Sequence, residues 1–129
     1  MTGVLLDTHT FIWSFTRPAR LPARAAELVE RSDVVWVSAV CLHEIAQKVR
    51  LGKWPEAATD HQNMEAMHAA RGGALAPLEG RFATIAGLLD WPHRDPFDRM
   101  IAATALVLGL VLVAADTAFD GLPDLRRVW

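Results

Sequence analysis

Asp95-Pro96-Phe97-Asp98-Arg99-Met100, then Ile101 to Ala115 without a charge, then Asp116, is the stretch whose reading decides the fold. Fifteen uncharged residues from 101 to 115 invite a membrane reading. A spanning helix needs about 20 apolar residues, and Arg99 and Asp116 close this run too soon. Gly109 divides it into an Ala/Leu-rich half and a Val-rich half. Asp95 before Pro96 is a helix start, and a glycine after a helical run is a helix stop. The stretch therefore predicts a buried helix, a glycine cap, and a buried strand from Leu110 to Ala115 that ends at an acid.

The same grammar extends in both directions. Val4-Leu5-Leu6 predicts a strand ending at Asp7, and Thr8 to Phe15 a helix stopped before Arg17-Pro18. Pro22 opens a second helix to about Arg31, and Val34 to Val37 forms a β-rich run. Ser38 caps a helix to Leu51 that Gly52 ends. Pro55 to Ala70 reads as one helical stretch, Ala74 to Pro77 as a weak strand, and Leu78 to Leu89 as a helix. Trp91 to Arg94 is a loop, and Val128-Trp129 a short edge strand. Wholly apolar strands alternating with helices predict a parallel sheet covered on both faces. No linker or repeat interrupts residues 1–129, so one α/β domain is expected.

Composition narrows the possibilities. With 52% apolar and 22% charged residues the chain is not disordered, and 129 residues suffice to bury a core. Net charge is −2, so no global basic field advertises nucleic acid. A phosphate-rich partner would need a local patch drawn from Arg17, Arg20, Arg24, Lys48, Arg50, Lys53, Arg126 and Arg127. Cys41 is the only cysteine, which removes internal disulfides and thiolate zinc sites and suits a reducing compartment. With no basic, then apolar leader in view, a cytoplasmic protein is expected.

Four acids far apart in sequence follow strands or lie in the first turns of helices: Asp7, Glu44, Asp98 and Asp116. Ligands of open parallel sheets bind beyond the carboxyl ends of the strands, where Asp7 and Asp116 fall. Asp98 shares a helix side with Ala102, Ala105 and Gly109, small residues that allow close approach to the sheet. Glu44 borders the apolar face of Leu42, Ile45 and Val49. Each acid also has an ordinary structural use. Asp7 and Asp116 can cap the turns after them, Asp95 and Asp98 can form a capping box around Pro96, and Glu44 can pair with Lys48. Caps have no reason to converge, however. Gathered at one sheet edge, the four carboxylates demand a cation, and caged Mg²⁺ or Mn²⁺ implies chemistry on phosphate. Thr8 and Thr117 carry hydroxyls suited to a phosphate or a bound water, or to simple capping. Asp95 is better read as a cap or an outer residue, and Arg99 as binding phosphate or, in preference, holding a carboxylate in place. The histidines lack zinc-site spacing, and His93-Arg94 is at most a phosphate contact.

At this point the residues resemble a family. Leu5-Leu6-Asp7-Thr8-His9, Ser38-Ala39 leading to His43-Glu44-Ile45-Ala46, and Lys48-Val49-Arg50-Leu51-Gly52-Lys53 look like a PIN domain. His93-Arg94-Asp95-Pro96-Phe97-Asp98-Arg99 followed by Ile101-Ala102-Ala103 strengthens the match. Within that family the chain is most similar to VapC toxins of type II toxin–antitoxin systems, over essentially its whole length. The resemblance implies a three-layer α/β/α sandwich and Mg²⁺- or Mn²⁺-dependent endoribonuclease activity. It also implies a homodimer, and inhibition by a cognate VapB-like antitoxin lying across the active site. Asp7, Glu44 and Asp98 match the first three family acids, and Asp116 the more variable fourth, with Asp120 a nearby rival. His43 stands where such toxins often carry tryptophan. Two other readings remain open: a PIN-like binding module without catalysis, and a metal-dependent phosphatase. The second is disfavoured because Asp7-Thr8-His9-Thr10 lacks the Asp-x-Asp pair of an aspartyl-phosphate enzyme.

Overall fold

A computed structural model of the chain describes residues 3–129. Five parallel strands, β1 (Val4–Leu6), β2 (Val35–Ser38), β3 (Ala74–Ala76), β4 (Val111–Val113) and β5 (Arg127–Val128), lie in the order β3-β2-β1-β4-β5. The helices are α1 (Thr8–Thr16), α2 (Ala23–Arg31), α3 (Ala39–Arg50), α4 (Met64–Ala70), α5 (Gly80–Leu88) and α6 (Pro96–Leu108). This is the expected three-layer α/β/α sandwich. The central strand is wholly apolar because both faces are covered: Val4, Leu5 and Leu6 are all buried, as are Leu112 and Val113 beside them.

From β1 the chain builds outward through β2 to β3, then crosses back to add β4 and β5 on the other side. The order therefore reverses between β1 and β4, the place where a crevice opens at the carboxyl edge of such sheets. Leu6 is level with Val113 on one side and with Val37 on the other. The residues after these strands thus emerge at one height. Two hydrogen bonds fasten the junction: Asp7 N donates to Val113 O at 3.2 Å, and Thr10 Oγ1 donates to the same carbonyl at 3.0 Å.

The deciding stretch folds as read. Asp95 caps α6 through Phe97 N at 2.9 Å, and Gly109 closes it with φ +66°, a left-handed conformation that glycine adopts without strain. The buried side of α6 carries Ile101, Ala102, Ala103 and Ala105, small enough to bring its backbone close to its neighbours. Strand β4 is shorter than Leu110 to Ala115, because Leu110 N is spent on the helix cap, donating to Ala105 O.

The helix expected across Pro55 to Ala70 is corrected. Short 3₁₀ turns at Pro55–Ala57 and His61–Asn63 precede α4. His61 Nδ1 lies 3.2 Å from Ala57 O and 3.0 Å from Ala58 O, so its ring occupies carbonyls that a continuous helix would use. Buried Ala57 and Met64 anchor the detour to the core.

Candidate active site

Each acid reaches the carboxyl edge by a different route. Asp7 leaves β1 as the N-cap of α1, accepting from Thr10 N at 2.9 Å, with only 5% of its surface exposed. Glu44, one turn into α3, is 4% exposed. Helices α3 and α6 pack together, which brings Glu44 within electrostatic reach of Asp98 in the first turn of α6. Asp116, two residues after buried Ala114, caps a 3₁₀ turn through Ala118 N at 2.9 Å. The capping roles read from sequence are real, and the acids converge nonetheless.

Convergence is costly as the side chains stand. Burial raises the Asp7 carboxyl above its ordinary range; its cap hydrogen bond with Thr10 opposes that rise, and the nearby Glu44 charge adds to it. Burial likewise pushes Asp98 up to about 6; His93 opposes this, while the charges of Asp95 and Glu44 add to it. Lys48 Nζ lies 3.5 Å from Glu44 Oε2 and serves that oxygen only. Among the described residues two buried side-chain oxygens lack any hydrogen-bond partner, Glu44 Oε1 and Thr8 Oγ1. Both belong to this cluster. Thr8 lies beside the Cys41 thiol, a weak partner whose own pKa burial drives up to about 12. Unpaired oxygen in a buried site is expensive, and a hard cation is the partner that oxygen of this kind accepts. The donor set therefore fits a hard divalent cation.

His93 is the residue that sequence reasoning undervalued. Its Nε2 lies 2.7 Å from Asp98 Oδ2, so the ring N–H donates to the carboxylate. One ligand atom each of His93, Asp98 and Asp116 lie within 4.8 Å of one another. Loop placement hid this. The adjacent Asp-Pro helix start is the one signal that marks His93 as close to Asp98 in space.

Arg99 needs correction. It holds no carboxylate: Nε donates to Ala86 O (2.9 Å), Nη1 to Trp91 O (2.7 Å) and His93 O (2.9 Å), and Nη2 to Leu89 O (2.7 Å). The guanidinium is a clamp that shapes the loop carrying His93. Trp91 extends the clamp, since its Nε1 donates to Ala118 O at 3.1 Å while its ring packs, tilted, against His93 and Phe119. The loop holding His93 and the turn opened by Asp116 are thereby tied together. Asp95 acts as a cap. Asp120 is drawn off by Arg127, at 2.9 and 3.0 Å, and its carboxyl is held below its ordinary value by that hydrogen bond. Of the two rivals, Asp116 is the one beside Asp98. Thr117 is exposed next to it. A cavity of about 330 Å³ opens elsewhere, lined by Ser14, Glu30, His68 and Arg71, and none of the four acids borders it.

Comparison with known proteins bears on the family and the fold. Ribonuclease VapC22 of Mycobacterium tuberculosis is 28% identical over 125 residues, covering 90% of this chain and 88% of the relative. The crystal structure of DNA-bound VapBC from Salmonella typhimurium superposes with a TM-score of 0.70 at 20% identity, over 99% of this chain and 98% of the other. A toxin–antitoxin complex from Klebsiella pneumoniae gives 0.69 at 21% identity, over 98% and 96%. FitAcB from Neisseria gonorrhoeae gives 0.66 at 24% identity, over 100% and 97%. The PIN domain model matches residues 4–125, the whole sheet up to β4 with all four acids, and on that match the chain belongs to the PIN domain family.

Proposed function

We propose that this protein is a metal-dependent endoribonuclease, the toxin of a toxin–antitoxin pair. The observation that carries this reading is the buried Glu44 Oε1, without a hydrogen-bond partner in a nest of carboxylates that repel one another. Such a nest is unfavourable for stability and makes sense as a cation cage. Similarity to a VapC ribonuclease supports RNA as substrate, and similarity to VapBC complexes supports a VapB-like antitoxin as partner. A homodimer is part of the same reading.

Asp7, Glu44, Asp98 and Asp116 would hold Mg²⁺ or Mn²⁺. Bound there, the cation supplies Lewis acidity, lowering the pKa of a water and offsetting charge that grows on the phosphoryl oxygens. The chain's own residues do the rest. Asp7 and Asp98 are fixed by Thr10 N and by the His93 ring, so little reorganisation accompanies loading. Glu44 Oε1 is free to accept a proton or a water hydrogen, while Lys48 restrains the other oxygen. Thr8 Oγ1 offers a donor at the buried end, and Thr117 one at the open end.

The test is cleavage of RNA by purified protein in Mg²⁺, in EDTA, and in Asp7→Asn. Cleavage should require the divalent ion and fall at least 100-fold in the variant. Undiminished cleavage by Asp7→Asn refutes the reading, and turnover of phosphomonoesters without RNA cleavage points to a phosphatase.

A further inference from the structure

The cavity of about 330 Å³ that none of the four acids borders is lined by both signs of charge and by hydrocarbon. Leu6, Val29 and Val35 supply the apolar lining. Arg71, at the end of α4, brings a positive group, and Glu30, in the last turn of α2, a negative one, with Asp33 beyond it. Among the described residues no salt bridge joins Arg71 to either acid.

Arg71 is held as an exposed arginine ordinarily is not, since a free side chain of this length keeps its rotamers. Its guanidinium carbon lies 3.8 Å from the centre of the Phe15 ring, and Nη2 donates to Ser14 Oγ at 3.1 Å. Ser14 is fixed in turn, donating to Phe11 O at 2.6 Å. Burial has begun to strip the guanidinium of water, which lowers the Arg71 pKa. Arg99 shows what a purely structural arginine does in this fold: it spends its fork on four carbonyls. Arg71, with five N–H donors, makes one hydrogen bond among the described residues. The wall beside it is stiff. His68 Nε2 donates to Ala74 O at 3.0 Å, and Gly73 passes so close that a Cβ there would run into the ring. Much of the ordering that a ligand would otherwise impose is thus already done by the fold.

Each part of the lining selects a ligand group. A stacked, pinned guanidinium fork matches a carboxylate. A carboxylate on the α2 side suits an ammonium, and the apolar lining suits a short hydrocarbon chain. The volume is at the small end of ligand pockets, roughly 300–1,000 Å³. We infer that this cavity binds a free aliphatic α-amino acid, its carboxylate on Arg71, its ammonium toward Glu30 and its side chain against Leu6, Val29 and Val35. The cavity stands apart from the acids, so this inference is independent of the nuclease reading.

The test is isothermal titration of the full chain with L-valine, L-leucine, L-isoleucine and L-methionine. The tightest binder is then compared with its amide, which lacks the carboxylate, and with its deaminated acid, which lacks the ammonium. At least one of the four should bind with a Kd below about 1 mM. Loss of either charged group should weaken binding at least tenfold, the scale of a charge-assisted hydrogen bond. Arg71→Ala should abolish binding, and Arg71→Lys, which keeps the charge without the fork, should weaken it roughly tenfold. Glu30→Gln should erase the preference for the amino acid over its deaminated acid. Both positions are exposed, so the variants should melt with the wild type. The inference is overturned if none of the four binds at about 10 mM, or if the amide binds as tightly as the amino acid. Wild-type affinity in Arg71→Ala, or an unchanged preference in Glu30→Gln, overturns it as well.

Discussion

Replacing Asp98 by asparagine should stabilise the metal-free protein. Burial lifts this carboxyl from an ordinary 3.8 to about 6, and its side chain keeps 20% of its exposure. A carboxyl whose folded-state value is raised holds its proton more tightly when folded. Its penalty is therefore absent below the unfolded value and fully in force above the folded one. A gap of about two units corresponds to roughly 3 kcal/mol at pH 7.5, and about half of that at pH 5. Asparagine keeps the shape and drops the charge, at the loss of a strong acceptor for His93. A net gain of about 1–3 kcal/mol remains, raising the melting temperature by roughly 3–10 °C in a domain of this size. The assay is thermal melting of wild type and Asp98→Asn in EDTA at pH 7.5 and pH 5, repeated in Mg²⁺. In EDTA the variant should melt higher at pH 7.5, with the gap narrowing at pH 5. In Mg²⁺ the order should close or reverse, because an ion bound only by the folded wild type contributes about 2.7 kcal/mol at 100 times its Kd. A variant that melts lower than wild type in EDTA at pH 7.5 refutes the reasoning, for Asp98 would then serve as a structural partner of His93 and not as a strained ligand.

Other perturbations separate the site's components. Arg99→Lys cannot reproduce a fork reaching four carbonyls and should lose about 2–4 kcal/mol in urea denaturation; a loss below 1 kcal/mol would show that the clamp matters little. Asp116→Asn should depress Mg²⁺-dependent RNA cleavage at least tenfold while Asp120→Asn leaves it near wild type, and the opposite ranking would hand the fourth position to Asp120. Thr8→Val removes a buried hydroxyl whose one partner is the weak Cys41 thiol, so the metal-free protein should melt close to wild type, while the Mg²⁺-induced rise shrinks if that oxygen faces the ion or its water.

Local chemistry carried much of this architecture. Pro96 after Asp95, and Gly109 before Leu110, delimit α6 through rules of one or two residues, and the uninterrupted apolar runs of β1 and β4 demand cover on both faces. The capping roles of Asp7, Asp95 and Asp116 were legible for the same reason: a cap involves neighbours in the chain. The Pro55 to Ala70 stretch departs from its helical periodicity where the His61 ring competes for backbone carbonyls, to which periodicity is blind. Adjacency alone suggests a carboxylate for Arg99, whereas its actual partners are carbonyls as far away in sequence as Ala86.

From sequence alone followed a parallel α/β sandwich with four acids at strand ends and helix starts, because those features depend on periodicity, capping and burial along one segment at a time. Only the tertiary structure buried Glu44 Oε1 and Thr8 Oγ1 where strong hydrogen-bond partners are lacking, drew Asp120 away to Arg127, and brought His93 to Asp98 and Asp116. Those outcomes depend on how α3, α6 and the loop before α6 meet around the β1–β4 junction, and distances between segments are not written in any one of them.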